Sequence, residues 1–228
     1  MGGQVRDNLL RVLERMEKAA LRVGRRPEEV RLVGATKGVD VDRIAEAVES
    51  GLEIVGENYV QEALRKREVL GDRVRWHMIG HLQRNKARHA VGLFEMIHSV
   101  DSLKLAQELQ KRAAKEGREV EVLLQVNLSG EETKSGVAPE GVQELAEAIS
   151  EMPNLRLKGL MTMPPYFEDP DGARPYFQAL RRLRDELQRR GLPVEELSMG
   201  MSADFEVAIE EGATLVRVGT AIFGQRRP

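Results

Sequence analysis

Apolar residues return at three- and four-residue steps from Val5 through Leu9, Val12, Leu13, Met16, Ala20 and Val23. That spacing lays one stripe along a helix, and Gly24 supplies its stop. From there the pattern changes to short apolar runs, each followed by a stretch of helical period. The runs predict strands at 31–36, 52–56, 74–79, 94–98, 119–127, 155–161, 196–199 and 214–218. Helices are predicted at 42–49, 59–69, 83–90, 102–116, 139–150 and 203–211, and one more carries Tyr176, Leu180, Leu183 and Leu187. Gly51 and Gly212 follow two of these helices, and Pro139 opens another at a position that suits proline. Strands alternating with helices, with one extra N-terminal helix in front, predict an α/β fold: a closed (β/α)8 barrel of the TIM type. An open doubly wound sheet is the competitor. It is disfavoured by the count of strands and by the lack of a G-x-G-x-x-G after the first of them. No Gly/Ser- or Pro-rich linker divides the chain, so residues 1–228 are expected to form a single domain.

Composition narrows the function classes. The chain has 228 residues, of which 41% are hydrophobic and 32% charged, which excludes intrinsic disorder. Lys and Arg number 35 against 37 Asp and Glu, a net charge of −2. So even a balance leaves no electrostatic footprint for nucleic acid or anionic lipid. No apolar stretch approaches the roughly 20 residues that cross a bilayer, and the first seven residues lack the apolar core of a secretory signal. The expectation is a cytoplasmic protein with no membrane and no nucleic-acid partner. The absence of cysteine removes disulfides, thiolate metal sites, iron–sulfur clusters and cysteine nucleophiles together. His77 and His81 are four apart, but His77 falls in a strand and no third ligand is evident, so no metal site is expected. Arg84, Lys86, Arg88 and His89 read as a solvated basic helix face. The arginines at 181, 182, 184, 189 and 190 are interrupted by Asp185 and Glu186 and lack an aromatic platform for bases.

In barrels of this kind the chemistry sits where strands end and the following loops begin. Lys37 stands at the end of the first strand, behind the small or apolar run Val33-Gly34-Ala35-Thr36. Burial disfavours an ammonium, and a neutral amine attacks aldehydes to form a Schiff base; a snorkelling lysine is the plainer alternative. At the last strand Gly219 lets backbone N–H groups approach an anion and Thr220 adds a hydroxyl. Arg217, two residues before Gly219, shares its face and needs a partner if it points inward. Ser202 either caps the helix that follows or joins the anion site. Met161, Met163, Met199 and Met201 serve equally well as core or as ligand contacts. A lysine across the mouth from a phosphate cradle suits pyridoxal 5′-phosphate.

At this point the strings Leu32-Val33-Gly34-Ala35-Thr36-Lys37, Gly56 through Glu62, Trp76 through Lys86, Val126-Asn127 with Lys134-Ser135-Gly136, Gly159 through Met163, Leu197 through Asp204 and Val216 through Gly224 accumulate. Together they resemble the pyridoxal-phosphate homeostasis family, which is similar to the barrel domain of alanine racemase. The resemblance implies pyridoxal 5′-phosphate as cofactor, held on Lys37 as an internal aldimine. It implies that Ser202, Gly219 and Thr220 hold the phosphate, that Arg217 faces the pyridine nitrogen, that Asn58 lies near the ring, and that Met163 stands where the racemases stack a histidine. An arginine can only donate, so the pyridine nitrogen stays unprotonated and the ring is a weak electron sink. The racemases also take a second base from another subunit's β-domain, which is not expected in a chain ending at Pro228. The expected function is therefore a carrier or buffer for intracellular homeostasis of this cofactor, without a committed catalytic site. Its partners are the cofactor and the apoenzymes that use it, and it is expected to be a monomer. The alternative is a monomeric fold-type-III enzyme such as an amino-acid racemase.

Overall fold

The computed structural model describes residues 3–131 and 134–225. Eight strands form a closed parallel barrel in sequence order: β1 Arg31–Ala35, β2 Ile54–Glu57, β3 Arg75–Met78, β4 Met96–Val100, β5 Val120–Gln125, β6 Leu155–Met161, β7 Glu196–Ser198 and β8 Leu215–Val218. The helices are α1 Gln4–Arg22, α2 Val41–Glu49, α3 Val60–Leu70, α4 Ala87–Leu93, α5 Leu103–Glu116, α6 Val142–Ser150, α7 Arg174–Arg189, α8 Phe205–Glu210 and α9 Thr220–Phe223. The seam closes where β1 pairs with β8, Gly34 opposite Val218.

Successive strand residues face opposite sides, so the apolar runs divide into two cores. One set fills the barrel: Val33, Ile54, Ile79, Met96, Leu123, Met161 and Leu215, with Ala35 against it. The other set, with Val55, Met78, Ile97, Val122, Leu160 and Val216 among it, packs outward on the helices. Strands buried on both faces read as continuous apolar runs instead of alternating ones, which is how the sequence presents them. Below the apolar layer the barrel floor is polar, with Arg31 2.6 Å from Glu196.

Three details differ from the sequence expectation. The fourth strand sits two residues later than predicted and contains Ser99, which is fully buried with no partner for its hydroxyl among the described residues; Phe94 instead ends α4 and belongs to the outer core. The helices predicted at 83–90 and 139–150 each begin as a single 3₁₀ turn, Arg84–Lys86 and Pro139–Gly141, before α4 and α6. The short α9 was not expected, because the sequence offered only a turn at Gly219 and Thr220 after the last strand. Gly159 marks the tightest approach in the sheet: a Cβ there would lie 1.9 Å from the Glu196 carbonyl oxygen. Of the arginines in α7, Arg181 lies 3.7 Å from Glu211 and Arg184 2.7 Å from Asp185. Among the described residues no helix is long and apolar enough to cross a membrane.

Candidate functional site at the barrel mouth

The inward alternation, continued past the strand ends, delivers one residue to the mouth from each of six strands. Val33 and Ala35 are followed by Lys37; Ile54 and Gly56 by Asn58; Ile79 by His81; Leu123 and Gln125 by Asn127; Met161 by Met163; Leu215 and Arg217 by Gly219. Lys37 is half-buried, less enclosed than its sequence context suggested. Its Nζ lies 5.1 Å from the centre of the Tyr59 ring, and among the described residues no carboxylate pairs with it. Gly219 is next to it across the seam: a Cβ on Gly219 would meet the Ala35 carbonyl oxygen at 3.0 Å. Lys37 and the Gly219 turn therefore rise side by side from adjacent strands, which are about 4.8 Å apart in any sheet.

Ser202 departs from the first of its two sequence readings. It does not cap α8; Asp204 precedes that helix and accepts from the Met201 N–H at 2.7 Å. The Ser202 hydroxyl instead accepts from the N–H groups of Gly219 and Ala221, at 3.3 and 3.2 Å. Thr220, between them, is exposed. Two backbone donors, a serine and a threonine hydroxyl thus share one bend at the mouth.

Arg217 is buried, and among the described residues it has no carboxylate partner within ion-pair distance. The ion pair that an inward arginine calls for is absent. Its Nη1 donates to Ser198 Oγ at 2.5 Å and its Nη2 to the Thr162 carbonyl at 2.9 Å. Burial pulls it down to about 10, with Asp204 holding it up in part, so it stays cationic at neutral pH. From Ser198 a hydrogen-bonded chain crosses the barrel: Ser198 Oγ to His98 Nδ1 at 2.8 Å, and His98 Nε2 to His77 Nδ1 at 2.9 Å. Since Ser198 already accepts from Arg217, its own proton goes to His98, whose Nε2–H then donates to His77. That direction leaves one orphan, the His77 Nε2–H; the reverse would also strand the serine proton. His77 is thus paired inside the barrel, while His81 lies at the surface 3.6 Å from Asp101.

Both buried imidazoles are neutral. Burial takes His77 down to about 3, with Arg75 adding to the effect, and takes His98 well below its ordinary value. Unfolded, each titrates near pH 6.5. The native state refuses protons that the unfolded chain accepts, so this stability is present above about pH 6.5 and drains away as the pH falls towards the native values. The expected loss is up to about 1.4 kcal/mol per pH unit for each histidine. Urea unfolding of the native chain and of His77→Phe across this range checks it: the variant should show the shallower decline.

The remaining expected residues also reach the mouth. Asn58 is partly buried, and Gly80 packs on it so closely that a Cβ would come within 2.5 Å of the Asn58 carbonyl oxygen. The four methionines divide: Met161 and Met199 are fully buried, whereas Met163 and Met201 are 42% and 38% exposed on the rim. These last two border a groove of about 320 Å³ with His81, Gln125, Asn127 and Lys134. Asn127 braces the polar loop beyond β5, donating to the Glu131 carbonyl at 2.9 Å; Glu132 and Thr133 of that loop lie outside the described residues. His98 and Ser198 were missed in the sequence. The available signal was their inward phase in β4 and β7, where apolar residues are the rule.

The donor set fits a phosphorylated pyridine aldehyde. A flanking amine, N–H and hydroxyl donors on a bend with little room for a side chain at Gly219, and a buried cation without a carboxylate partner among the described residues supply what its aldehyde, phosphate and ring nitrogen need.

Comparison with known proteins agrees. The family described as "Alanine racemase, N-terminal domain" matches residues 8–227. The chain is 52% identical over 223 residues to the pyridoxal phosphate homeostasis protein of Aquifex aeolicus, covering 97% of this chain and 98% of that one. Its structure is similar to that of PipY from Synechococcus elongatus with PLP bound, with a TM-score of 0.82 and 38% identity over 93% of this chain and all of that one (100%). Alanine racemase of Clostridium difficile shares the fold, with a TM-score of 0.76 at 19% identity, over 97% of this chain and 58% of the enzyme. By sequence and by architecture, the chain belongs to the pyridoxal phosphate homeostasis proteins, within the alanine racemase N-terminal domain family.

Proposed function

We propose that this protein binds pyridoxal 5′-phosphate at the barrel mouth and serves its homeostasis as a carrier or buffer, not as a committed catalyst. The observation that carries this reading is the juxtaposition of Lys37 and the Gly219 bend across the β1–β8 seam, with Arg217 on the same inward face. When bound, the cofactor supplies an aldehyde that an amine captures reversibly. Lys37 is the capturing amine. Ser202, Gly219 and Thr220 bind the phosphate, with the Ser202 hydroxyl turning from the two N–H groups it now accepts from. Asn58 and Met163 border the ring.

Arg217 faces the ring nitrogen. It only donates, and it keeps its own proton at neutral pH. A protonated ring nitrogen is what makes the cofactor a strong electron sink, so this residue holds the chemistry back. A weaker electron sink makes carbanion chemistry less favoured, in line with relatives named for homeostasis. The chain acts as one domain over residues 1–228, as a cytoplasmic monomer, and passes the cofactor to apoenzymes that depend on it.

Two assays separate carrier from racemase. The loaded protein is incubated with L- or D-alanine and the products resolved on a chiral column; separately, it is mixed with a cofactor-free aminotransferase. The carrier reading expects no racemisation and recovery of aminotransferase activity. Sustained racemisation would make the chain an enzyme.

A further inference from the structure

The turn that carries Lys37 is held from behind by charged residues that are not at the mouth. Lys66, on α3, is 5% exposed. Its ammonium spends its three protons on three oxygens: the Thr36 carbonyl at 2.6 Å, Glu57 Oε1 at 2.6 Å and Glu62 Oε1 at 2.7 Å. The same Glu62 oxygen accepts the Gly38 N–H at 2.6 Å. Thr36 Oγ1 donates to Glu57 Oε1 at 2.5 Å. The residue before Lys37 and the residue after it are therefore both tied to one network, while the Lys37 side chain takes no part in it. Gly38 adopts φ +68°, a left-handed turn that a glycine makes at little cost.

Resting on the reading of Lys37 as the capturing amine, we propose that Glu57, Glu62 and Lys66 are positioning residues: they clamp the Thr36–Gly38 turn so that the Lys37 amine is presented to an aldehyde at the mouth.

Several features separate this from ordinary packing. Glu57 ends β2 with its carboxylate directed to the outer side, while its neighbour Asn58 turns in, so one strand end serves both faces. Glu62 and Lys66 fall at i and i+4 on one face of α3, and Tyr59, the residue that precedes the helix, places its ring centre 5.1 Å from the Lys37 amine. Burying an ion pair is costly compared with apolar residues of similar size. Here that cost is incurred at the one turn where a lysine must be aimed. Glu57 Oε2 is buried with no partner among the described residues, and burial raises this carboxyl despite the bonds from Lys66 and Thr36. Glu62 is held below the ordinary range, because the bonds from Lys66 and Gly38 outweigh its partial burial.

Glu62→Ala and Glu62→Gln test the clamp in the full chain. The first removes the acceptor for Gly38 and leaves Lys66 paired with Glu57; the second keeps an acceptor oxygen. Affinity is measured for pyridoxal 5′-phosphate and for pyridoxine 5′-phosphate, which has the same ring and phosphate but an alcohol where the aldehyde stands. Glu62→Ala should weaken the aldehyde roughly tenfold, equivalent to ~1.4 kcal/mol, and leave the alcohol as in the native chain; Glu62→Gln should recover most of the loss. Thr36→Val, close to isosteric, should weaken the aldehyde selectively as well, so the comparison stands even if Glu62→Ala melts too low to assay. Native affinity for the aldehyde in a folded Glu62→Ala, or equal weakening of both ligands, overturns the clamp. A native chain that does not prefer the aldehyde to the alcohol instead overturns the reading of Lys37.

Discussion

Lys37→Ala is expected to yield a folded, colourless protein whose affinity for pyridoxal 5′-phosphate falls on the order of a hundredfold, ~2.7 kcal/mol. Each part follows from where the lysine stands. Its side chain is half-buried at a turn and forms no ion pair among the described residues, so its loss should change stability by no more than about 0.5 kcal/mol. The phosphate bend and Arg217 are untouched, so non-covalent binding survives at a reduced level. Visible absorption that depends on the amine should vanish. Lys134 is a competitor: it lies at the rim groove, but its ammonium is 2.9 Å from Glu131. Spectrophotometric titration of the variant, beside a thermal melt, checks both halves of the expectation.

Gly159→Ala is expected to be the most destabilising single methyl in the barrel wall. The ladder between β5 and β6 shifts register between Val122 and Leu123, which pair with Leu157 and Gly159, so Lys158 is the extra residue of a bulge. Gly159 then lies against β7, opposite Glu196, where an added Cβ would come within 1.9 Å of a carbonyl oxygen. The obstruction is backbone, and β7 has only three residues with which to yield. A cost of about 4 kcal/mol is the scale of such severe core changes. At roughly 2–4 °C per kcal/mol for a chain of this size, the melting temperature should drop by about 10 °C. A calorimetric melt within a degree or two of native would show that the β6–β7 contact is looser than described.

Much of the architecture was legible because parallel barrel strands are apolar on both faces and short. Runs such as Val120–Gln125 and Leu155–Met161 announce themselves, and Gly24, Gly51 and Gly212 punctuate the helices between them. Lys37 drew attention from the buried run that precedes it, and Arg217 and Gly219 because two residues in one strand share a face; Asn58 and Met163 came only with the family resemblance. Phase is a local property, so the chain order alone pairs Arg217 with Gly219. What joins distant segments was not legible. His98 and Ser198 are a hundred residues apart (100) and meet only because β4 and β7 face each other inside the barrel. Lys66 looks like the end of an ordinary i,i+4 pair with Glu62; only folding shows that it is buried and bonded to Thr36, 30 residues away. Ser202 had two sound local readings, and only the approach of the Gly219 turn shows that its hydroxyl is engaged there and not at α8.

The central claim is that one amine captures the cofactor, and chemical trapping tests it most directly. The native protein is loaded with pyridoxal 5′-phosphate, reduced with borohydride, digested and mapped by mass spectrometry. The account requires the pyridoxyl label on the peptide containing Lys37, and on no other lysine. Label on Lys134 or Lys66, or labelling that persists unchanged in Lys37→Ala, would contradict it.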